Sequence, residues 1–428
     1  MSSWDSVNDD NVILRVRGQD VKIWESYEVN ISVFQQPSKF TLRCGWSKTA
    51  AEMLAMWKQG DAFQLFVQVG KSFSAIDSTV PVQVMSGRID RVGAPGGDAC
   101  TVEITGRDDM ARIADAYVDA DEAFHESTYY HLTRKVMDRF GLADRALLTS
   151  NLANRKAITG KKITEYVPPR DATTQQIEET TGGTRKVVYR TIKAQLGERW
   201  YDFLKRQYKR VGLFLFCGGD GSFILTDLNP NQEPVIKIMR RLPNNDGYLT
   251  PFATAAGRPT YWSDATDRSS KAVVWGRAQG GRAGKRGKVR GEYVDQEMID
   301  LGFDKPITIH DDDVKTDKEA EYAARKWIAE GRRNGFMLEY PLSGHSAMSL
   351  LGGRAVHNID TVHEIEDQEI GLDHRYYVTD VTFSANPART TRVRYARLTD
   401  LVFAEELQVR EDEAKSLPKH ALRVQAKR

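Results

Sequence analysis

Short runs in which apolar and polar residues alternate are the feature that most restricts the fold of this chain. Phe63, Leu65 and Val67 recur at every second position, and residues 100–105 alternate in the same way. A period of two is typical of half-buried antiparallel strands. Similar patterns predict strands at 12–16, 21–33 and 82–92, a glycine-rich turn at 93–98 and one helix at 48–59. Residues 11–110 therefore predict a small β-barrel or sandwich.

A second strand-rich block is predicted near the other end of the chain. Thr316 and Glu319 have the spacing of a capping box, which predicts a helix over residues 317–332. The apolar face of this helix would comprise Ala320, Ala323, Ala324, Trp327 and Ile328. Strands are predicted at 336–341, 354–359, 376–384 and 391–398. The residues from Arg410 onward are mostly charged and predict a tail.

The middle of the chain mixes both periodicities. A helix is predicted from a cap at Ser127 to Gly141, with Tyr129, Leu132, Val136 and Phe140 on one face. A second helix over residues 198–211 carries Trp200, Phe203, Leu204 and Tyr208 on one face. The Asp220–Gly221 pair between two apolar runs predicts a β-hairpin directly after it. Residues 154–193 have few large apolar side chains and predict a loop or arm.

Composition excludes several classes of protein. The 61 basic and 59 acidic side chains nearly cancel, to a net charge of +2, whereas a dedicated nucleic-acid-binding protein is strongly basic. Cys44, Cys100 and Cys217 stand alone, so neither a zinc site nor a disulfide framework is predicted. The first ten residues lack the pattern of a secretory signal, and no apolar run approaches about 18 residues. We expect a soluble chain that does not insert into a membrane.

No motif for catalysis, cofactor binding or metal binding is complete. Residues 344–348 lack the second glycine of a nucleophile elbow, and the sequence around Gly284–Lys285 fails as a phosphate-binding loop. The polar residues 344–348 predict a loop, and the acidic run after His310 predicts a turn before a helix. The remaining candidate metal ligands, which lack a helical spacing, are His357, His363, Glu364 and Glu366. We therefore assign no catalytic, cofactor-binding or metal-binding residue, although a pair of carboxylates brought together by folding leaves no spacing to test.

One segment has an extreme local composition. Residues 276–291 contain six glycines, six basic residues and no acid. The basic residues are Arg277, Arg282, Lys285, Arg286, Lys288 and Arg290. Such a loop could follow a phosphate backbone without reading bases, or order against a protein neighbour. We name this segment the basic loop and treat it as a candidate partner-binding site.

The order of these parts resembles that of the baseplate hub proteins of contractile-tailed phages, the late control gene D family to which the phage Mu hub belongs. The motifs that carry the likeness are Gly60–Asp61, Ser86-Gly87-Arg88-Ile89-Asp90, and the run from Val102 to Asp108 that ends in Gly-Arg-Asp. The helix–hairpin from Gly197 to Thr226, the strand from Ala272 to Arg277 and the late strands are also similar. Residues 154–193 and the charged tail match no part of the family pattern.

This resemblance implies an α+β, β-rich fold with two tube-like β-barrel domains at the ends of the chain and α/β inserts between them. We expect a first barrel domain at 1–118, an α+β domain at 119–235, a connecting β segment at 236–316, a second tube-like domain at 317–409 and a tail at 410–428.

The resemblance also implies a structural role in the virion. Hubs of this family are homotrimers that join a hexameric tail tube, or a tube-initiator protein, to a trimeric spike. They contact neighbouring baseplate proteins, and DNA passes through their lumen during ejection. We therefore expect a non-enzymatic protein, without cofactors, that is assembled into the tail baseplate in the host cytoplasm. Two other classes stay open: a cell-wall hydrolase carried on a tail, and a sequence-independent nucleic-acid binder that uses the basic loop.

Overall fold

The structure is a computed structural model. It describes residues 10–45, 52, 55–69, 81–94, 101–119, 123–125, 128–150, 163–164, 176–180, 183–188, 191–209, 212–240, 257–277, 288–311, 314, 317–386 and 388–401. The structure is 48% strand and 19% helix, which confirms the predicted α+β, β-rich fold class. The chain divides into two compact units, Met1–Asp227 with Thr382–Arg389, and Leu228–Val381 with Thr390–Arg428.

The elements up to Asp227 fall in the first unit. Its strands are β1 Asn11–Val16, β2 Gln19–Val21, β3 Ser26–Ser32, β4 Lys39–Gly45, β5 Ala62–Gln68, β6 Val82–Gly93, β7 Thr101–Asp108, β8 Ala123–His125, β9 Leu147–Thr149, β10 Ile163–Thr164, β11 Gln176–Thr180, β12 Gly183–Val188, β13 Thr191–Lys193, β14 Phe214–Cys217 and β15 Phe223–Thr226. Its helices are α1 Ala111–Ala114, α2 Tyr129–Arg139 and α3 Trp200–Tyr208.

The remaining elements lie wholly or mainly in the second unit. Its strands are β16 Ile236–Arg240, β17 Thr260–Ser263, β18 Lys271–Arg277, β19 Lys288–Val294, β20 Pro306–His310, β21 Phe336–Ser343, β22 Ser346–Met348, β23 Arg354–Val356, β24 Val362–Asp367, β25 Leu372–Ala385 and β26 Arg389–Arg397. Its helices are α4 Gln296–Asp300, α5 Asp317–Asn334 and a 3-10 turn at Leu398–Asp400.

The main sheet of the first unit has the order β2-β1-β5-β6-β7-β4-β3. Its strands run antiparallel, and alternate residues such as Val12, Leu14 and Val16 are buried. The strands predicted from alternation are therefore confirmed, whereas the turn at 95–98 lies outside the described residues. The pairings among described strands do not close a barrel, so the barrel form stays a prediction.

The helix–hairpin of the first unit buries its aromatic residues as predicted. Trp200, Phe203, Leu204 and Tyr208 share one hydrophobic core with the β14–β15 hairpin and α2. Phe124 packs against Trp200 and Phe203 with ring centres 6.0 and 5.5 Å away, respectively. The Tyr208 hydroxyl lies 2.5 Å from Thr133 Oγ1, so the phenol keeps a polar partner inside an apolar core.

Two local predictions in the middle of the chain need correction. The side chain of Thr128 caps α2 by accepting the backbone N–H of His131, where the sequence predicted Ser127 as the cap. Threonine one position later has the same hydroxyl, so composition alone did not decide between them. Residues 154–193 contain strands β10–β13, although a loop or arm was predicted. Backbone pairing, which needs no large apolar residues, explains this difference.

The described strands of the second unit form three sheets. The first has the order β17-β21-β26-β25-β24-β16, with β16 and β24 parallel. The second consists of β19-β18-β20 with α5 packed on one side, and the third is the antiparallel pair β22–β23. Gly291 permits this packing, because a Cβ atom there would lie 2.1 Å from the backbone nitrogen of Glu321. Among the described residues, no helix combines the length and apolar character that crossing a membrane requires.

Helix α5 was predicted almost to its bounds, with one error on its face. Ala320, Ala324 and Ile328 are buried as expected, but Trp327 is 43% exposed. The buried stripe is narrow because small residues lie against the β18–β19 hairpin, so the wide indole falls outside it. Thr316, the expected cap, lies outside the described residues.

A buried ion cluster connects the beginning of α4 to the end of α5. Asp295, which is 1% exposed, accepts hydrogen bonds from Arg268 at 3.0 Å and Arg332 at 2.5 Å. Arg268 also bonds Glu297 at 2.8 Å. A carboxylate with two charge-assisted partners is far less costly to bury than an isolated one. The cluster therefore holds these elements together inside the second unit.

Candidate interaction surface

The glycine and arginine motifs near the end of the first sheet have structural roles. A Cβ atom on Gly87 would lie 2.1 Å from the carbonyl oxygen of Arg107, and one on Gly106 would lie 2.7 Å from the Phe40 ring. Backbone and ring approach so closely at both positions that only glycine fits. The Ser-Gly-Arg-Ile-Asp and Gly-Arg-Asp patterns thus mark tight strand packing.

Arg107 and Asp108 fix the junction between β7 and α1. The Arg107 guanidinium binds Asp90 at 2.7 and 3.1 Å and Asp115 at 3.0 and 2.8 Å. The buried Asp108 carboxylate accepts the backbone N–H groups of Ser38 at 2.9 Å and Met110 at 3.0 Å. Burial raises the pKa of Asp108 to about 7. These contacts fix the backbone where β7 joins α1.

The candidate metal ligands do not form a metal site. Glu364 and Glu366 bind Lys237 at 2.6 and 3.2 Å, while His363 Nδ1 lies 2.9 Å from the Tyr395 hydroxyl. Burial lowers the pKa of His363 well below its usual range, so the imidazole is neutral at neutral pH. Within the described residues, no group of three or more histidine, cysteine or acidic side chains is arranged to hold a metal ion.

Residues 344–348 also differ from the prediction of a polar loop. His345 is fully buried, and its Nδ1 lies 2.9 Å from Thr391 Oγ1. Strand β22 begins at Ser346, so the chain passes from β21 through two residues into an antiparallel pair with β23. A histidine with a hydroxyl partner can be buried at low cost, which the local polarity did not reveal.

The two described ends of the basic loop form the top of the β18–β19 hairpin. Arg277 and Lys288 are directly opposite each other in register, and Arg290 is opposite Trp275. The remaining candidate residues of the loop, Arg282, Lys285 and Arg286, lie outside the described residues. Register thus brings Arg277, Lys288 and Arg290 to one end of one hairpin.

One side of the three-stranded sheet is accessible, whereas α5 covers the other. Ala272, Val274 and Val289 are buried under the helix. The alternate positions present Val273, Trp275, Arg290, Glu292, Thr308 and His310, and we name these residues the hairpin face. The side chains of Arg290 and Glu292 are 48% and 42% exposed. The described part of the chain therefore leaves this face open to a partner.

Charged and aromatic groups contact one another across the hairpin face. The Arg290 guanidinium lies 5.6 Å from the centre of the Trp275 ring and donates to Glu292 at 2.6 Å. Lys271 lies 3.0 Å from the same carboxylate. His310 is next to Trp275 in the parallel register between β18 and β20. The face offers an aromatic ring flanked by cationic and polar groups.

The outer strands of both main sheets are a second accessible feature. All four residues of β17 are exposed, including Tyr261 at 42% and Trp262 at 49%. On its described side β17 pairs with β21, and β2 pairs with β1 in the first unit. Each is an edge at which the described residues provide no further strand. Edge strands with unused backbone groups can pair with another chain.

Sequence patterns did not reveal the hairpin face or the aromatic edge. His310 reaches Trp275 through a parallel pairing after a long crossover, and no local spacing records such a pairing. Tyr261 and Trp262 follow no alternating run, since both faces of β17 are exposed. The sequence did show that residues 276–291 contain no acid, but this pattern indicated the basic loop and not the sheet that carries it.

Comparisons with known proteins show which fold the chain has. No family model matches it, and no curated protein matches its sequence. The 43 kDa tail protein of prophage MuSo2 from Shewanella oneidensis has a similar structure, with a TM-score of 0.65 and 17% identity over 92% of this chain and 100% of that one. A tail protein from Neisseria meningitidis has a TM-score of 0.66 and 15% identity, covering 92% of this chain and 99% of the other.

A chain of the Francisella PdpA–VgrG complex is more distant, with a TM-score of 0.50 and 10% identity over 93% of this chain and 54% of that one. At such identities the likeness establishes a shared fold, and it does so across nearly all of the chain. The protein therefore shares its fold with the MuSo2 prophage tail protein and with the tail protein from Neisseria meningitidis.

Proposed function

We propose that this protein is the structural baseplate hub of a contractile phage tail or a phage-like particle. The observation that carries the proposal is the fold, which is shared with tail proteins over 92% of the chain. The motifs that resemble the late control gene D family support it, since they build the tight packing at Gly87, Gly106 and Arg107.

The hub is a homotrimeric ring. Each chain supplies two β-rich units, so that three chains present six modules to a sixfold tail tube while keeping threefold symmetry for the spike. The edges at β2 and β17 support this arrangement, because a head-to-tail contact needs two different edges on each chain. Backbone pairing between edges of neighbouring copies would use groups that otherwise face solvent.

The partners of the ring are a tail tube or tube-initiator protein, a central spike protein and neighbouring baseplate proteins. DNA passes transiently through the lumen during ejection. The protein acts through shape and assembly rather than catalysis, and it is located in the tail baseplate of the particle. The division into five parts is also a proposal. The contacts within the chain separate two compact units, and they do not test the finer boundaries.

Mass measurement of the purified chain, alone and with the neighbouring tail proteins, tests the ring. A trimer is expected, and electron microscopy of the assembled particle should show the two units of each chain alternating around a ring of six. A stable monomer in the assembled particle would refute the hub. Two units that do not superpose as the same module would refute the pseudo-sixfold arrangement alone.

The edge contact has its own test. Tyr261→Lys with Trp262→Lys places charge on an exposed edge and should prevent strand addition, so the trimer should dissociate. Leu351→Lys is the matched control, since Leu351 is 71% exposed in a turn outside β17. If the double variant remains a trimer of unchanged stability, β17 is not the subunit contact.

A further inference from the structure

Together with Lys271, which precedes it on β18, the hairpin face carries more positive charge than Glu292 can balance. Glu292 accepts from Arg290 at 2.6 Å and lies 3.0 Å from Lys271. Lys271, and with a smaller effect Arg290, lowers the pKa of Glu292, so this carboxylate is charged and shared between two cations. One positive charge of this group of three therefore remains without an equal and opposite charge on the face.

Positive charge also accumulates toward the top of the hairpin. Arg277 and Lys288, both basic, occupy directly opposite register positions there. Residues 276–291 contain no acid. Charge complementarity therefore favours an acidic partner at this end.

A second acid beside Arg290, Asp317, occupies the edge of β19. Asp317 Oδ1 accepts the backbone N–H of Arg290 at 2.9 Å, and α5 lies against Gly291. A partner therefore cannot add a strand at this position of β19. It has to bind through side chains on the open face, where Arg290 and Trp275 lie together.

The position of Glu292 discriminates between two kinds of acidic partner. A nucleic-acid backbone carries a phosphate on every nucleotide, and a strand lying along the face would bring one close to this carboxylate. A polypeptide can place a neutral residue opposite Glu292 and a carboxylate opposite Arg290. Trp275 and Val273 then accept an apolar side chain between them.

We propose that the hairpin face binds an acidic, partly apolar polypeptide segment of a neighbouring tail protein. Carboxylates of the segment pair with Arg290, and an apolar side chain packs on Trp275. The identity of the neighbour rests on the proposed hub function, whereas the chemistry of the face does not.

Binding of a fluorescently labelled poly-L-glutamate to the full-length protein tests the proposal, with single-stranded and double-stranded DNA as competitors. Replacing Glu292 by Gln removes the only acid of the face and should tighten binding about fivefold. Arg290→Ser should weaken it about fivefold, whereas Arg375→Ser, an exposed arginine on β25, should leave it unchanged. Tighter binding by Glu292→Gln cannot result from misfolding, so the pair of variants separates binding from stability.

Equal affinity of the wild-type protein and both face variants would overturn the proposal. So would DNA that displaces poly-L-glutamate efficiently and responds to the same variants, since the face would then bind nucleic acid. The mass of each sample is measured in parallel. A monomer that still shows the expected order of affinities would refute the hub while leaving the acidic-segment site intact.

Discussion

Replacing Trp200 by Ala probes the core that joins α3 to its hairpin. The indole is 1% exposed and packs edge-to-face against Phe124 and Phe203 at 6.0 Å each. Arg139 lies 5.1 Å from the ring centre and would lose a cation–π contact worth about 0.5–1 kcal/mol. Truncation of a buried tryptophan costs about 3–5 kcal/mol, so we expect a loss of that size from the first unit.

For a unit of roughly 200 residues, a loss of about 4 kcal/mol lowers the midpoint of thermal unfolding by about 10 °C. Differential scanning calorimetry at fixed protein concentration measures this shift, because trimer stability depends on concentration. Trp327→Ala is the matched control, since that indole is 43% exposed and should cost less than about 1 kcal/mol. A Trp200→Ala variant that loses the trimer at an unchanged melting temperature would refute the core role.

Three further outcomes are expected. Gly291→Ala should destabilise the second unit by about 2 kcal/mol or more, because the new Cβ atom would lie 2.1 Å from the backbone nitrogen of Glu321. Gly331→Ala, where the nearest atom outside α5 is 3.8 Å from the new Cβ atom, should stabilise the same unit by about 0.5–1 kcal/mol. Urea unfolding measures both changes. Burial lowers the pKa of His363, so the folded state binds fewer protons than the unfolded chain. The melting temperature of the second unit should therefore decrease as the pH falls below about 6.5, and this decrease should be smaller in His363→Gln. Burial raises the pKa of Asp108 to about 7, so the stability of the first unit should decrease as the pH rises from about 4 to 7. An Asp108→Asn variant whose stability depends on pH as steeply as that of the wild type would contradict this assignment.

Elements with a clear period were predictable from the sequence, and long-range pairings were not. The α3 helix and its hairpin follow one another along the chain, so Trp200 and the Asp220–Gly221 turn carried enough local signal. Strand β20 pairs in parallel with β18 only after a long crossover, which places His310 beside Trp275 without any pattern to show it.

Burial of single polar residues was equally hard to predict. His345 is buried because Thr391, 46 residues away, provides a hydrogen-bond partner. Trp327 is exposed because its helix packs on small residues at close distance, a property of the contact rather than of the helix sequence. In both cases the deciding group belongs to another element.

The register at the top of the β18–β19 hairpin determines how the fold should respond to changes in the length of the segment between these two strands. Arg277 is opposite Lys288 in the register, and Asp317 accepts the backbone N–H of Arg290, so the described stem has its own strand pairing and its own contact with α5. Doubling the length of a connecting segment adds only about 0.6 kcal/mol to the entropy cost of closing it. A change in the number of residues between Arg277 and Lys288 should therefore leave the pairing of β18 with β19 and the packing of α5 unchanged.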